Sequence, residues 1–326
     1  MRTAFERDLA TAEWPRSAAE LASKGVTRAD TRSRNWRRTS RGYFLPASVP
    51  EGSAGQRILN AAPLIPGRGA LAGWAAAYVH GADLLDGLDP ETMRPLPVTI
   101  NLGNDLGRAD TRDVRYVRDQ LSYDDRQVRY GIPVTSPVRT ALDGARWAVD
   151  PVEAVVFLDQ ITRALDLRVD DLIAAAAASH RAGMPLVRRV LPLVEPASAN
   201  PWESRLRMFY IGPAGLPRPL VNRPIFDLDE HLLGIGDLFD PEAGLVGEFD
   251  GQDHRLRRQH RADNLREEKL EGANLVVCRV DSLDLRYPVP LAERLRERHA
   301  QGLRRDRRRD RWTLVEPAWW QRRRAS

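Results

Sequence analysis

The stretch Gly236-Asp237-Leu238-Phe239-Asp240-Pro241-Glu242-Ala243-Gly244-Leu245-Val246-Gly247-Glu248-Phe249-Asp250 decides the fold of the last third of the chain. Two apolar runs, 232–239 and 245–249, flank the turn-forming Asp240–Gly244 segment and predict a hairpin. Before it, 220–226 predicts a further strand and 202–211 a helix. After it, 256–272 predicts a polar helix and the β-branched run 275–280 a fourth strand, with Asn274 suited to the left-handed helix end. Helix, three strands, helix, strand describes a compact α/β unit. A last helix from about Leu291 leads into an arginine-rich tail, whose Trp319-Trp320 end can pack back onto a surface.

The hairpin places acids together. Asp237 falls on its first strand and Glu248 on its second, so both carboxylates lie at one end of the sheet. Strand alternation sets Glu248 and Asp250 on one face and turns Phe249 to the other. Glu203, on the preceding helix, is a fourth acid over the same place. Converging carboxylates repel unless a cation sits among them, and hard oxygen ligands suit Mg²⁺ or Mn²⁺, with Asp237 and Glu248 as the metal ligands. Such an ion polarises a phosphodiester and lowers the pKa of attacking water. Acids near strand ends are equally often only solvated, so spacing alone leaves both readings open.

Glu248-Phe249-Asp250-Gly251 with His254, then Asp263, Arg266, Leu270 and the β-rich run ending at Arg279, resembles the domain of unknown function that groups with the very-short-patch-repair endonucleases, within the PD-(D/E)XK superfamily. The resemblance covers about 85 residues. It implies a restriction-endonuclease-like core and a metal-dependent cut in DNA, with Glu203 as the helical glutamate, Asp237 as the hairpin aspartate and Glu248 as the second strand acid. The superfamily's lysine is Asp250 here. His254 and Lys269 are the candidates to take its place in holding water and stabilising developing charge.

At the other end, Ser17-Ala18-Ala19-Glu20 is a capping box for a short helix that Gly25 breaks. Thr27 caps a second predicted helix, on which Arg28, Thr31, Arg32 and Asn35 share one face. A polar turn, 39–42, then leads into the strand-like Gly42–Leu45. Helix, turn, helix and hairpin predict a winged helix-turn-helix, with Arg28, Arg32 and Asn35 reading DNA and Arg37, Arg38 and Arg41 touching phosphates. Gly25–Arg28 through Arg41–Tyr43, together with Val134-Thr135-Ser136-Pro137-Val138-Arg139-Thr140-Ala141-Leu142-Asp143, is similar to the abortive-infection (AbiEi) type IV antitoxins and their actinobacterial relatives. That resemblance implies a winged-helix head on an α/β body, operator binding and a cognate toxin partner.

The middle of the chain predicts helices over 55–80, strands at 96–102, 113–117 and 127–134, then helices from Ser136-Pro137 to Trp147, 151–165 and 170–178. It offers no catalytic constellation, and Asp159 and Arg163 are spaced as a surface ion pair. The expected division is a head at 1–50, an α/β body at 51–198, the nuclease-like unit at 199–290 and a basic helix and tail at 291–326.

A chain of 326 residues with 42% hydrophobic and 29% charged residues and a net charge of +5 is globular in composition and long enough for more than one core. It lacks a continuous apolar run of membrane length, which points to a cytoplasmic protein with no membrane partner. Its one cysteine, Cys278, is expected as a small buried hydrophobe. The basic excess gathers at 28–41 and 294–324 and points to DNA. A metal-dependent endodeoxyribonuclease and a non-catalytic regulator or antitoxin on a degenerate nuclease fold both follow from these features.

Overall fold

The computed structural model describes residues 2–105, 107–250 and 257–325, and the chain divides into two compact units, Met1–Val194 and Glu195–Ser326. Both are mixed α/β structures.

The first unit begins with helix α1 (Ala4–Asp8), strand β1 (Arg16–Ser17) and helix α2 (Ala18–Ser23). The Ser17–Glu20 capping box forms as expected: Ser17 Oγ accepts from Glu20 N at 3.2 Å, and Glu20 accepts from Ser17 N at 2.7 Å. Strands β2 (Trp36–Ser40) and β3 (Tyr43–Pro46) then make the expected hairpin, whose turn places Gly42 at φ 82°, and β1 adds to β3. The second helix predicted after Thr27 is instead one 3-10 turn, Asp30–Arg32. Thr27 and Asp30 cap it reciprocally, but Thr31 Oγ1 bonds back to Arg28 O, Ser33 is extended, and the segment has no buried residue to hold a longer helix against a core. Arg28, Arg32 and Asn35 are all exposed, on a turn and its flanks.

The body of this unit follows with α3 (Ala54–Ala61), β4 (Ala70–Ala72), α4 (Gly73–His80), β5 (Val98–Asn101), β6 (Val114–Val117), β7 (Arg126–Arg129), β8 (Ile132–Thr135), α5 (Pro137–Arg146), α6 (Pro151–Leu165), α7 (Val169–Ala178) and α8 (Met184–Val190). Its sheet runs β6-β5-β4-β8-β7. The segment read as one strand at 127–134 is two, folded over Tyr130-Gly131 with φ of 51° and 78°, the sign pattern of a tight hairpin turn. Strand β4 hid among helix-forming residues, Ala70-Leu71-Ala72, and is fixed by its partners β5 and β8 on either side. Asp159, expected on the surface, is fully buried in α6.

A charged core sits beneath α5. Arg139 reaches Asp143 at 2.8 Å, Asp125 at 3.1 Å and Asp119 at 3.5 Å; Arg146 bonds Asp143 at 2.8 Å and pairs with Asp119; Arg181 reaches Asp125 at 3.2 Å. Three acids meet three bases, and Asp143 has no exposed surface. Burial pushes its carboxyl up to about 6, against the pull of Arg139.

The second unit contains α9 (Pro201–Ile211), β9 (Leu220–Phe226), β10 (Leu232–Asp240), β11 (Leu245–Asp250), α10 (Arg257–Gly272), β12 (Val276–Asp281), α11 (Pro288–Leu303) and α12 (Ala318–Ala325). Its sheet is ordered β12-β11-β10-β9, with β9, β10 and β11 antiparallel and β12 parallel to β11. A parallel neighbour needs a crossover, and α10 is that crossover. Asn274 ends it at φ 72°. One sheet face packs Leu206, Tyr210, Leu238, the buried Cys278 and Leu295; the other packs Ile225, Phe239, Val246, Leu270 and Val277.

The tail belongs to this unit. Thr313 pairs with Phe226, Trp312 meets Phe239 edge-on at 5.1 Å, and Trp319 and Trp320 close over Phe226 at 6.0 and 5.6 Å, as expected of that end. Several of its arginines are tied to main-chain oxygens, Arg305 to Leu275 and Arg307 to Gly302. Among the described residues no helix is long and apolar enough to cross a membrane.

Asp143→Ala removes the one fully buried acid of this network and leaves Arg139 with Asp125 and Asp119 and Arg146 with Asp119 alone among its acids, and breaking a buried pair costs up to ~3–5 kcal/mol. Chemical denaturation monitored at the tryptophans of the first unit should show a loss of that size, with the second unit's transition unmoved.

Candidate active site

The strand registers align four side chains in a row. Leu238 pairs with Gly247, so one step further along the ladder Asp237 stands opposite Glu248. Gly236 pairs with Arg223 and Leu238 with Val221, which sets Asp237 opposite Asn222 on the other side. Glu248 in turn pairs with Arg279. Asn222, Asp237, Glu248 and Arg279 therefore cross β9, β10, β11 and β12 in sequence.

Each member is held differently. Asn222 adopts φ 48°, and its amide donates to Glu203 Oε2 at 2.7 Å and to Ala197 O at 2.8 Å. Glu203 is buried at the first turn of α9, where Asn200 caps the helix, and it also accepts from Ala199 N and Asn200 Nδ2, both at 2.6 Å. Three donors thus converge on its two oxygens and fix its place between α9 and β9. Asp237 Oδ2 accepts from Phe249 N at 2.6 Å. Phe249 is itself clamped by Trp202 of α9, with rings stacked 5.1 Å apart and 7° from parallel, and Arg205 covers Trp202 at 4.8 Å.

Burial raises the Asp237 carboxyl to about 6; the Phe249 amide opposes this, while Glu203 and Glu248 push it further up. The structure thus brings Asp237, Glu248 and Glu203 into one electrostatic neighbourhood. Glu248 has a counterion, since Arg266 of α10 pairs with it directly and Arg279 Nε lies 3.9 Å away while reaching Glu267 at 2.9 Å.

The remaining predicted residues scatter. Asp250, partly exposed, ends β11 in register with Asp281. Lys269 is exposed on α10, lining a shallow cleft with Leu232, Leu233, Gly234, Ile235, Leu265 and Arg266. His254 lies outside the described residues. Among the described residues no three His, Cys, Asp or Glu side chains form a group able to hold a metal ion by themselves.

In the first unit, Arg38 and Arg41 are exposed on the hairpin as predicted. Arg37 is not available for phosphate: it donates to Glu51 at 2.7 Å and to Val49 O at 3.0 Å, with its side chain mostly covered. Sequence reading gave no role to Arg266, Arg279 or Asn222. Strand register is the signal for Asn222 and Arg279, which stand across the ladder from Asp237 and Glu248; Arg266, on α10, carries no such signal.

A carboxyl with a raised folded pKa favours the folded state below its ordinary value of 3.8, and that advantage is lost as pH rises through about 6. Asp237→Asn keeps an acceptor for Phe249 N and removes this titration. Without divalent ions it should unfold a few degrees above the wild type at pH 7.5, about 4 °C per kcal/mol for a domain of this size, with the difference vanishing near pH 4. Equal melting temperatures across that range contradict the electrostatic account of the row. Compared with known families, characterised proteins and solved structures, the chain matches none of them.

Proposed function

We propose that the protein is a DNA-binding, metal-dependent endodeoxyribonuclease whose second unit hydrolyses phosphodiesters at Asp237 and Glu248. The observation that carries this reading is the direct opposition of Asp237 and Glu248 on neighbouring strands, above the buried Glu203. Two carboxylates so placed are hard oxygen donors whose repulsion a dication relieves, so the residues fit Mg²⁺ or Mn²⁺, with the Phe249 carbonyl and water completing the shell. When bound, the ion supplies an activated water and polarises the phosphate.

The chain's own residues do the rest. The Phe249 amide fixes the Asp237 carboxylate, the Trp202–Phe249 stack fixes that amide, and Glu203 and Asn222 hold the end of β9 against α9. The element order α9-β9-β10-β11-α10-β12 is the one expected of a PD-(D/E)XK core and supports the likeness to the very-short-patch-repair group. For the head, α2 and the β2–β3 hairpin support a winged-helix reading of AbiEi type only in part, since a single 3-10 turn stands where the recognition helix is expected; in that reading the exposed Arg28, Arg32, Asn35, Arg38 and Arg41 face DNA from this turn and the hairpin.

One observation favours a second reading. Arg266 already neutralises Glu248, and Asp250 stands where a lysine is expected, as in a nuclease fold retained for binding alone. In that case the protein is an operator-binding regulator or antitoxin, with a toxin protein as its partner.

Plasmid incubated with the protein should be nicked in Mg²⁺ or Mn²⁺ and spared in EDTA, and Asp237→Asn should abolish nicking while leaving DNA affinity within about twofold. Binding to a defined operator with no nicking on any DNA form selects the regulator. For the head, the Arg38→Ala, Arg41→Ala double variant should weaken DNA binding and lower the salt slope by about 1 for each phosphate it no longer neutralises. An unchanged slope removes the hairpin from the interface.

A further inference from the structure

We propose that Arg266 is a latch on the candidate metal site: it neutralises Glu248 in the free protein, gives that carboxylate up to the divalent ion, and then turns to the phosphate of the DNA. This rests on the nuclease reading of Asp237 and Glu248. Arg266 comes from the crossover helix α10, not from the sheet, so its hold on Glu248 is a side-chain contact that can be broken without disturbing the strand ladder. The other base in reach is committed elsewhere, since Arg279 sits closer to Glu267 than to Glu248. Arg266 is therefore the main counterion that a metal must displace.

A displaced Arg266 has somewhere to go. Its side chain is 38% exposed and lines the cleft beside β10 together with Lys269, three residues further along the same helix and thus on the same side. The floor of that cleft includes Gly234, where a Cβ atom would stand 3.3 Å from Arg266 Nε, so the missing side chain leaves the guanidinium its room. A planar guanidinium with parallel N–H donors suits a phosphate. Positioned there, Arg266 supplies the positive charge that a lysine at the Asp250 position provides in the resembled superfamily.

The two roles give opposite signs in one variant. Full-length Arg266→Gln should bind Mn²⁺ about five- to tenfold more tightly than the wild type in calorimetric titration without DNA. At saturating Mn²⁺ it should nick plasmid at least tenfold more slowly. Arg266→Lys, which keeps one charge, should bind Mn²⁺ within about twofold of the wild type, and Asp237→Asn should lose the Mn²⁺ signal. An Arg266→Gln protein with wild-type Mn²⁺ affinity, or one that binds Mn²⁺ more tightly and nicks at the wild-type rate, overturns the latch while Asp237-dependent binding leaves the nuclease reading standing. Absence of Asp237-dependent Mn²⁺ binding in wild type and Arg266→Gln alike overturns the nuclease reading and the latch with it.

Discussion

Asp237 and Glu248 face each other across an antiparallel ladder, where side chains of opposed residues stand about 5 Å apart and like charges disfavour pairing. Much of the surrounding structure answers that repulsion. The Phe249 amide turns toward Asp237, Arg266 leaves the solvent side of α10 for Glu248, and Arg279 takes the position beside Glu248 on the next strand. Glu203 lies close by and pushes the Asp237 carboxyl further up, and three hydrogen bonds satisfy its buried oxygens. The site is neutralised at Glu248 and left in deficit at Asp237.

That asymmetry follows from the topology. A fourth strand parallel to β11 must be reached by a crossover, and the crossover helix delivers Arg266 and Lys269 to the edge of the row while β12 delivers Arg279 into it. Had β12 joined by a hairpin, no helix would cover that face and Leu270 would have no sheet to pack against. The hydrophobic pattern that builds the sheet and the charges that make its end distinctive therefore share one cause, the connection between β11 and β12.

In the second unit the sequence is nearly transparent: β9, β10, β11 and β12 and helices α9 and α10 all fall where alternation, turn residues and caps place them, because each apolar run is bounded by a strong signal such as Asp240–Gly244 or Asn274. The acids were legible for the same reason. Their counterions were not, since an arginine on a polar helix looks the same whether it is solvated or paired. In the first unit the failures have local causes. The Thr27 segment has caps at helical spacing but no apolar stripe, and Ala70–Ala72 has helical composition in a strand fixed by two neighbours. Asp159 and the Asp143 network were invisible because burial of charge depends on partners far apart in sequence, such as Asp119 and Arg181.

The distribution of arginine sharpens the electrostatic picture. In α11 and the tail, Arg296, Arg305 and Arg307 are bound to carbonyl oxygens and Arg294 to Asp284, while in the first body Arg139 and Arg146 are bound to buried acids. Net positive charge is thus a poor guide to where an anion binds on this chain, because many of its arginines are bonded within the fold, while exposed ones stand both at 28–41 (Arg28, Arg32, Arg34, Arg38 and Arg41) and near the end (Arg304, Arg308, Arg309 and Arg311). The same reasoning separates stability from chemistry at Asp237. An asparagine there would still accept from Phe249 N, and the core residues on either side, Leu238 and Gly236, do not need a charge between them. A carboxylate at that position weakens the folded state at neutral pH in the absence of a cation, so its charge is not what holds this part of the sheet together.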